Sequence, residues 1–246
     1  MTKLEALRAR STRAGVLLDF DGTLSEIVDR PDLARAVPGA REALAALVPR
    51  YALVAVITGR RAAEVQDLVQ IDGVRFVGLY GIEASSQPLS SHVRRLVEEA
   101  AAGEPGVRVE DKDATMAVHY RQAHDSEGAR SRLRAALEPI AAGAKLEVVE
   151  GKMVLELVPP GRQLKGEAVE GLVGEHGLEA ALFAGDDVGD LGAFRSLDRL
   201  GARGLLVVKV AVEGSETPAE VLRSADVVVK GPAGTVELLR SLADPE

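Results

Sequence analysis

The sequence contains no cysteine. That excludes a disulfide framework and any thiolate metal site. Aromatic residues are scarce, at 3 %, so a core has to be assembled from Ala, Val and Leu. Long apolar runs are missing near the start: Val16-Leu17-Leu18 is far too short for a leader or a membrane span. The basic residues before it, Lys3, Arg8, Arg10 and Arg13, are not followed by a small-residue cleavage site, and a cytoplasmic location is expected. Positive charge is also in deficit. A net charge of −8 argues against nucleic acid or an anionic membrane as partner. Internal repeats, low-complexity tracts and long linkers are absent as well. What remains is a chain of 246 residues, 46 % of them apolar. That is enough to bury one large domain or two modest ones, and the aliphatic composition suits a parallel sheet covered by helices.

Strand-like and helix-like segments alternate at the start. Gly15–Phe20, Tyr51–Ile57 and Val74–Leu79 read as strands, and Pro38–Val48 and Ala62–Val69 as helices. This βαβαβ order implies a parallel sheet. The middle differs. Ser91–Ala102 and Ser126–Ala141 read as helices, each followed by a hairpin: Val107–Lys112 with Ala114–Arg121, turning at Asp113, and Lys145–Glu150 with Met153–Val158, turning at Gly151-Lys152. After Pro159-Pro160 the first rhythm resumes, with helices at Leu164–His176, Asp190–Leu200 and Val236–Leu242 and strands at Ala181–Ala184, Leu205–Val210 and Val227–Val229. The expected fold is α/β: a doubly wound, Rossmann-like parallel-sheet core, residues 1–83 and 161–246, interrupted by an inserted α+β unit of order αββαββ, residues 84–160.

The strands of the insert alternate. Met116, Val118 and Tyr120 share one face, and Thr115, Ala117, His119 and Arg121 the other. Arg108, Glu110 and Lys112 face together, as do Lys152, Val154 and Glu156. One face is apolar enough to pack on two helices. The other is charged, which suits either a solvated face or a recognition face.

Four motifs carry chemistry. The apolar run ending at Leu18 delivers Asp19 and Asp21, two residues apart, into a turn at Gly22. Ligand sites of open α/β sheets gather at such strand ends. Paired carboxylates there supply a nucleophile and a proton carrier, although Asp and Gly also make ordinary turns. Thr58-Gly59-Arg60 closes the second strand with a hydroxyl, backbone N–H groups at a helix entry and a cation. This composes an anion site or a plain helix start. Lys165 opens a later helix and has a specific task if it meets the carboxylates: offsetting their charge and holding a phosphoryl oxygen. Gly185-Asp186-Asp187-Val188-Gly189-Asp190 ends another apolar strand in three carboxylates, which suits Mg²⁺ or a helix N-cap.

Taken in order, these motifs resemble those of the haloacid-dehalogenase-like hydrolase superfamily, from Asp19 to about Phe194, with the insert as its cap. The resemblance implies Asp19 as nucleophile, Asp21 as acid and base, Lys165 as a further catalytic residue, and Thr58, Gly59 and Lys165 on the phosphate. It also implies Mg²⁺ held by Asp19, the Asp21 carbonyl and Asp186, with Asp187 and Asp190 ligating it or orienting its waters. Within the superfamily the chain most resembles the trehalose-6-phosphate phosphatases. The markers are Gly78-Leu79-Tyr80-Gly81-Ile82-Glu83, Glu110-Asp111-Lys112, Val118-His119-Tyr120-Arg121 and Gly151-Lys152-Met153-Val154-Leu155-Glu156. The resemblance implies substrate contacts from Arg60, Glu83, Glu110, Lys112, Arg121, Lys152 and Glu156. It departs from the family at Tyr80, Leu164, Gly189 and Leu191, where His, Asp, Thr and Glu are usual. The implied partner is a small-molecule sugar phosphate, acted on by a monomer. Other sugar phosphates (sucrose, glucosylglycerate or mannosylglycerate phosphate), a phosphomutase, and a catalytically silent binding module are the alternatives. Hinges are expected where the chain crosses to and from the cap, near Glu83-Ala84 and Pro159-Pro160.

Overall fold

A computed structural model of the chain describes residues 1–81, 88–160 and 164–244. The chain divides into two compact units, Met1–Gly81 with Gln163–Glu246, and Ile82–Arg162. The first unit begins with α1 (Lys3–Arg8), β1 (Ala14–Leu18), α2 (Ala40–Leu47), β2 (Leu53–Ile57), α3 (Ala62–Val69) and β3 (Arg75–Val77). The second comprises α4 (Ser91–Ala102), β4 (Arg108–Asp111), β5 (Met116–His119), α5 (Ser126–Gly143), β6 (Glu147–Gly151) and β7 (Val154–Val158). The first unit then resumes with α6 (Leu164–Glu175), β8 (Ala180–Gly185), α7 (Leu191–Ala202), β9 (Leu206–Glu213), α8 (Ala219–Ser224), β10 (Val227–Lys230) and α9 (Gly231–Ala243).

Among the described residues, six strands of the first unit form one sheet in the order β10-β9-β8-β1-β2-β3, every pairing parallel. The central strands are buried on both faces, which is why they read as unbroken apolar runs. Their side chains still alternate. Val16, Leu18, Val54, Val56, Leu182 and Ala184 pack on one face with Leu7, Leu44, Leu47, Val65 and Leu239 from α1, α2, α3 and α9. Leu17, Ala55, Ile57, Ala181 and Phe183 pack on the other with Val169, Leu172, Phe194, Leu197 and Val221 from α6, α7 and α8. Phe183 meets Phe194 edge to face at 6.2 Å.

The second unit is an antiparallel sheet in the order β4-β5-β7-β6. Met116, Val118, Leu155 and Leu157 bury one face against Val93 and Val97 of α4 and Leu133 and Leu137 of α5. The two tight turns place Asp113 and Met153 at φ 66 and 57. Asp113 has its N–H held by Asp111 Oδ1 at 2.8 Å, a local bond that favours the turn.

Several segments differ from the sequence expectation. The expected strand Val74–Leu79 stops at Val77, and Leu79–Gly81 instead forms a 3₁₀ turn with Leu79 and Tyr80 at positive φ. The cause is visible: Leu79 N–H bonds to the Arg60 carbonyl at 2.8 Å and Tyr80 N–H to the Thr58 carbonyl at 2.9 Å, so the chain curls over the end of β2. Helix α9 starts at Gly231 rather than Val236, because Pro232 sits in its first turn, where a missing N–H does no harm. Helices α1 and α8 have no counterpart in the sequence expectation. The first is closed by a capping box between Thr2 and Glu5. Among the described residues no helix is long and apolar enough to cross a membrane.

Candidate active site

The pairing register decides where the motifs meet. Leu18 at the end of β1 lies beside Val56 of β2 and Ala184 of β8. The chain therefore leaves all three strands at the same edge of the sheet, as Asp19, Thr58 and Asp186. The Asp19 N–H bonds to the Ala184 carbonyl at 2.9 Å. Strand order reverses direction between β1 and β8, the position where open α/β sheets bind ligands.

Asp19, Asp186 and Asp190 are buried, and a carboxylate oxygen from each lies within 4.8 Å of the others. Lys165, the second residue of α6, puts its Nζ 2.9 Å from Asp19 Oδ1 and 2.6 Å from Asp190 Oδ1. Its helix comes this close to α7 because Gly166 has no side chain: a Cβ there would lie 2.6 Å from Ser196 Oγ and 2.7 Å from the Gly192 carbonyl oxygen. Asp190 Oδ2 accepts the N–H groups of Asp186 and Asp187, both at 2.9 Å. Three of the roughly four lone-pair positions of Asp190 are thus occupied, and this carboxylate ties the loop after β8 to the lysine. Two further glycines complete the cradle. Gly22, at φ 80, would place a Cβ 2.0 Å from Asp186 Oδ2, and Gly185 would place one 2.3 Å from Asp190 Cγ.

Burial pushes the Asp19 carboxyl well above its ordinary range. The Lys165 ammonium opposes this, and the Asp190 and Asp186 carboxylates add to it. Burial also works against the Lys165 ammonium, but Asp19 and Asp190 outweigh it and hold the lysine protonated. Three desolvated carboxylates face one ammonium, a balance that favours a further cation. The donors are all carboxylate oxygens, the set that suits a hard divalent ion rather than a soft one.

The remaining expected residues are placed as follows. Both oxygens of Asp21 are gripped by Arg60, Nε at 2.8 Å and Nη2 at 2.9 Å, so its carboxylate stands outside the buried three. Arg60, expected to reach toward substrate, has its guanidinium on protein acceptors: besides Asp21 it donates to the Pro31 carbonyl at 2.9 Å and to Glu64. Burial disfavours that cation, and its two carboxylates more than compensate, raising its pKa. Asp187 spends Oδ1 on the Val188 N–H at 2.7 Å, as a cap. Thr58 is fully buried, and its Oγ1 accepts the Arg60 N–H at 3.1 Å. Gly59 lies under the Tyr80 hydroxyl, which a Cβ would meet at 2.3 Å, and the Tyr80 ring lies 6.0 Å from Lys165 Nζ. In the sequence Tyr80 stands inside the Gly78–Glu83 marker as a departure from the usual His, with no role implied; its positive φ and its place beside Lys165 depend on the curl after β3. Glu83 and the crossing at Glu83-Ala84 lie outside the described residues.

In the second unit, Glu110, Ala117 and Glu156 form one row across β4, β5 and β7. Lys112 pairs with Glu156 at 2.9 Å, both buried, and Thr115 Oγ1 donates to the same Glu156 oxygen at 3.2 Å. His119 lies 2.8 Å from Glu110. Arg121 follows β5 by two residues, and Lys152 occupies the turn between β6 and β7. Thr115 and His119, which alternation places on this polar face without further distinction, are thus partners of Glu156 and Glu110.

A family model described as trehalose-phosphatase matches residues 17–228. The chain is 33 % identical over 253 residues to the trehalose-phosphate phosphatase of Mycobacterium avium, covering 93 % of this chain and 62 % of that protein. It is 35 % identical over 233 residues to an uncharacterised glycosyl hydrolase of Mycobacterium tuberculosis, covering 86 % of this chain and 17 % of that protein. The chain thus spans less than two thirds of these relatives. Among solved structures, the C-terminal domain of the Candida albicans trehalose-6-phosphate phosphatase superposes with a TM-score of 0.83 at 23 % identity, covering 99 % of this chain and 97 % of that one.

Proposed function

This chain belongs to the trehalose-phosphatase family, and we propose that it hydrolyses trehalose 6-phosphate to trehalose and phosphate through an aspartyl-phosphate. The observation that carries the reading is the buried group of Asp19, Asp186, Asp190 and Lys165 at the switch point, with Asp21 two residues beyond Asp19. Phosphoryl transfer asks mainly for positioning and charge stabilisation, and this group supplies both.

An Asp19 carboxylate oxygen attacks phosphorus while the bond to the sugar oxygen breaks. Asp21, as the carboxylic acid, gives its proton to that departing oxygen. Asp21, now a carboxylate, then takes a proton from water as the water oxygen bonds to phosphorus. The bond from phosphorus to Asp19 breaks, and phosphate leaves. Lys165, the Thr58 hydroxyl and the N–H groups around Gly59 hold the non-bridging oxygens. Asp19, Asp186 and the Asp21 carbonyl are the groups we assign to Mg²⁺, with Asp187 and Asp190 supporting them. When bound, the ion supplies positive charge against the phosphoryl oxygens. The polar face of the second unit, with Glu110, Lys112, Arg121, Lys152 and Glu156, is assigned to the sugar hydroxyls, together with Glu83.

The test is phosphate release from trehalose 6-phosphate, sucrose 6-phosphate and glucose 6-phosphate, with and without Mg²⁺, for the parent and Asp19→Asn. We expect release that is fastest on trehalose 6-phosphate, needs the ion, and vanishes in the variant. Preference for another sugar phosphate overturns the substrate. Turnover retained by Asp19→Asn overturns the nucleophile.

A further inference from the structure

The Arg60 side chain is held along its whole guanidinium by acceptors of the core unit. Its side chain is 8 % exposed, against 36 % for the Asp21 side chain it holds. The guanidinium meets Asp21 in a fork, Nε to one oxygen and Nη2 to the other. Nη1 is tied to the Pro31 carbonyl and to Glu64, one turn along α3. The cation also lies 5.7 Å from the centre of the Phe20 ring. Its backbone is pinned at both ends, N–H to Thr58 Oγ1 and carbonyl to the Leu79 N–H. Such a fork fixes the plane and rotamer of a carboxylate, which a lysine's point charge does not.

We infer that Arg60 is the positioning residue of Asp21. It fixes the direction in which that carboxyl presents its open side and acts on the reaction only through it. This rests on the acid and base role proposed for Asp21. An arginine bonded to the Pro31 and Glu64 oxygens carries its fork at a set depth, so Asp21 is aimed by the end of β2 and the start of α3 rather than by its own turn. The second motif thereby serves proton transfer as well as the anion site.

The test uses kcat/KM, which covers the steps up to departure of the first product. Trehalose 6-phosphate loses a basic alkoxide and needs the proton from Asp21; p-nitrophenyl phosphate loses a stable phenolate and does not. Positioned acids contribute about 100-fold or more, so Arg60→Gln is expected to lower kcat/KM on the sugar phosphate about 30-fold or more, and at least about tenfold further than on the aryl phosphate. Arg60→Lys, which keeps the charge and loses the fork, is expected to fall between and to show the same split. Added to Asp21→Asn, Arg60→Gln is expected to change kcat/KM on the sugar phosphate less than about twofold, since residues acting as a unit are not additive. An equal loss on both substrates, a further large loss in the Asp21→Asn background, or an unchanged sugar-phosphate rate overturns the inference. If Asp21→Asn alone keeps the parent kcat/KM on trehalose 6-phosphate, the acid and base assignment itself fails, and Arg60 loses its role with it.

Discussion

Replacing Asp190 separates two duties that one carboxylate performs. Its Oδ2 holds the loop after β8 through the Asp186 and Asp187 N–H groups, and its Oδ1 holds Lys165 at 2.6 Å. Asparagine has one carbonyl oxygen, so it serves the two N–H groups or the lysine but not both. Serving the N–H groups turns an amide toward a buried ammonium and removes a bond from a charged donor, worth about 1.5–3 kcal/mol. Removing one of three crowded carboxylates offsets part of this, which leaves a loss of about 2 kcal/mol. For a chain of this size that lowers Tm by about 4–8 °C. Alanine abandons the two N–H groups as well, at about 1–3 kcal/mol for each one left buried and unpaired, so it is expected to melt lower still. With Lys165 held from one side only, kcat is expected to fall about 100-fold in both, the scale of an ångström-level misplacement. Thermal melts of parent, Asp190→Asn and Asp190→Ala, with phosphate release on the same samples, measure both effects. An Asp190→Asn protein that melts with the parent and turns over within about threefold of it refutes the two-duty argument.

Three more outcomes follow from the same geometry. Gly22→Ala forces a side chain onto Asp186 Oδ2 at a backbone φ of 80; phosphate release is expected to fall about 100-fold or more, with a stability loss of about 1–3 kcal/mol read by denaturant titration. Lys112→Met alone removes the buried ammonium paired with Glu156, leaves that carboxylate the Thr115 hydroxyl but not the cation, and is expected to cost about 3–5 kcal/mol, whereas Lys112→Met with Glu156→Leu is expected to recover most of that. In the double variant, KM for trehalose 6-phosphate is expected to stay raised more than KM for p-nitrophenyl phosphate; equal shifts reject recognition by this pair. Asp226 concerns stability alone. Burial raises its pKa, but the Lys3 ammonium and the Lys209 N–H outweigh that and lower it. A carboxyl with a depressed folded pKa stabilises above its unfolded value of about 3.9 and loses that contribution as pH falls through the folded value. Asp226→Asn is therefore expected to melt below the parent at neutral pH, by about 1 kcal/mol, and the gap should close below about pH 4; a gap that widens in acid contradicts the assignment.

The parallel core was legible because burial on both faces leaves β1, β2 and β8 as uninterrupted aliphatic runs. The antiparallel unit was legible for the opposite reason, since Met116 and Val118 alternate with polar or small neighbours and the two hairpins turn on short breaks. Ends were read less well, because they depend on bonds made by distant residues. Strand β3 is cut short by carbonyls of Thr58 and Arg60, some 20 residues earlier. Helix α9 begins five residues before the expected Val236, at a Gly-Pro pair that local reading takes for a breaker and the helix uses as its first turn.

The site divides the same way. Asp19, Lys165 and Asp186 were legible as residue types at strand ends and a helix start, and topology alone carries such positions to one edge of a parallel sheet. Partner choice was not legible. A sequence in which an arginine follows Thr-Gly admits phosphate, substrate or protein as its acceptor; which one it takes is set by where Asp21, Glu64 and Pro31 come to lie once β1 and β2 pair in register. The same holds for Asp190, whose position four residues after Asp186 lets the loop fold back so that one carboxylate caps two N–H groups and still reaches Lys165. Both are side chains with several donors or acceptors, and such groups report the fold around them rather than the motif they stand in. Charges read along a chain therefore identify what chemistry is affordable at an edge of the sheet, while the division of labour among them is fixed by the register that brings the edge together.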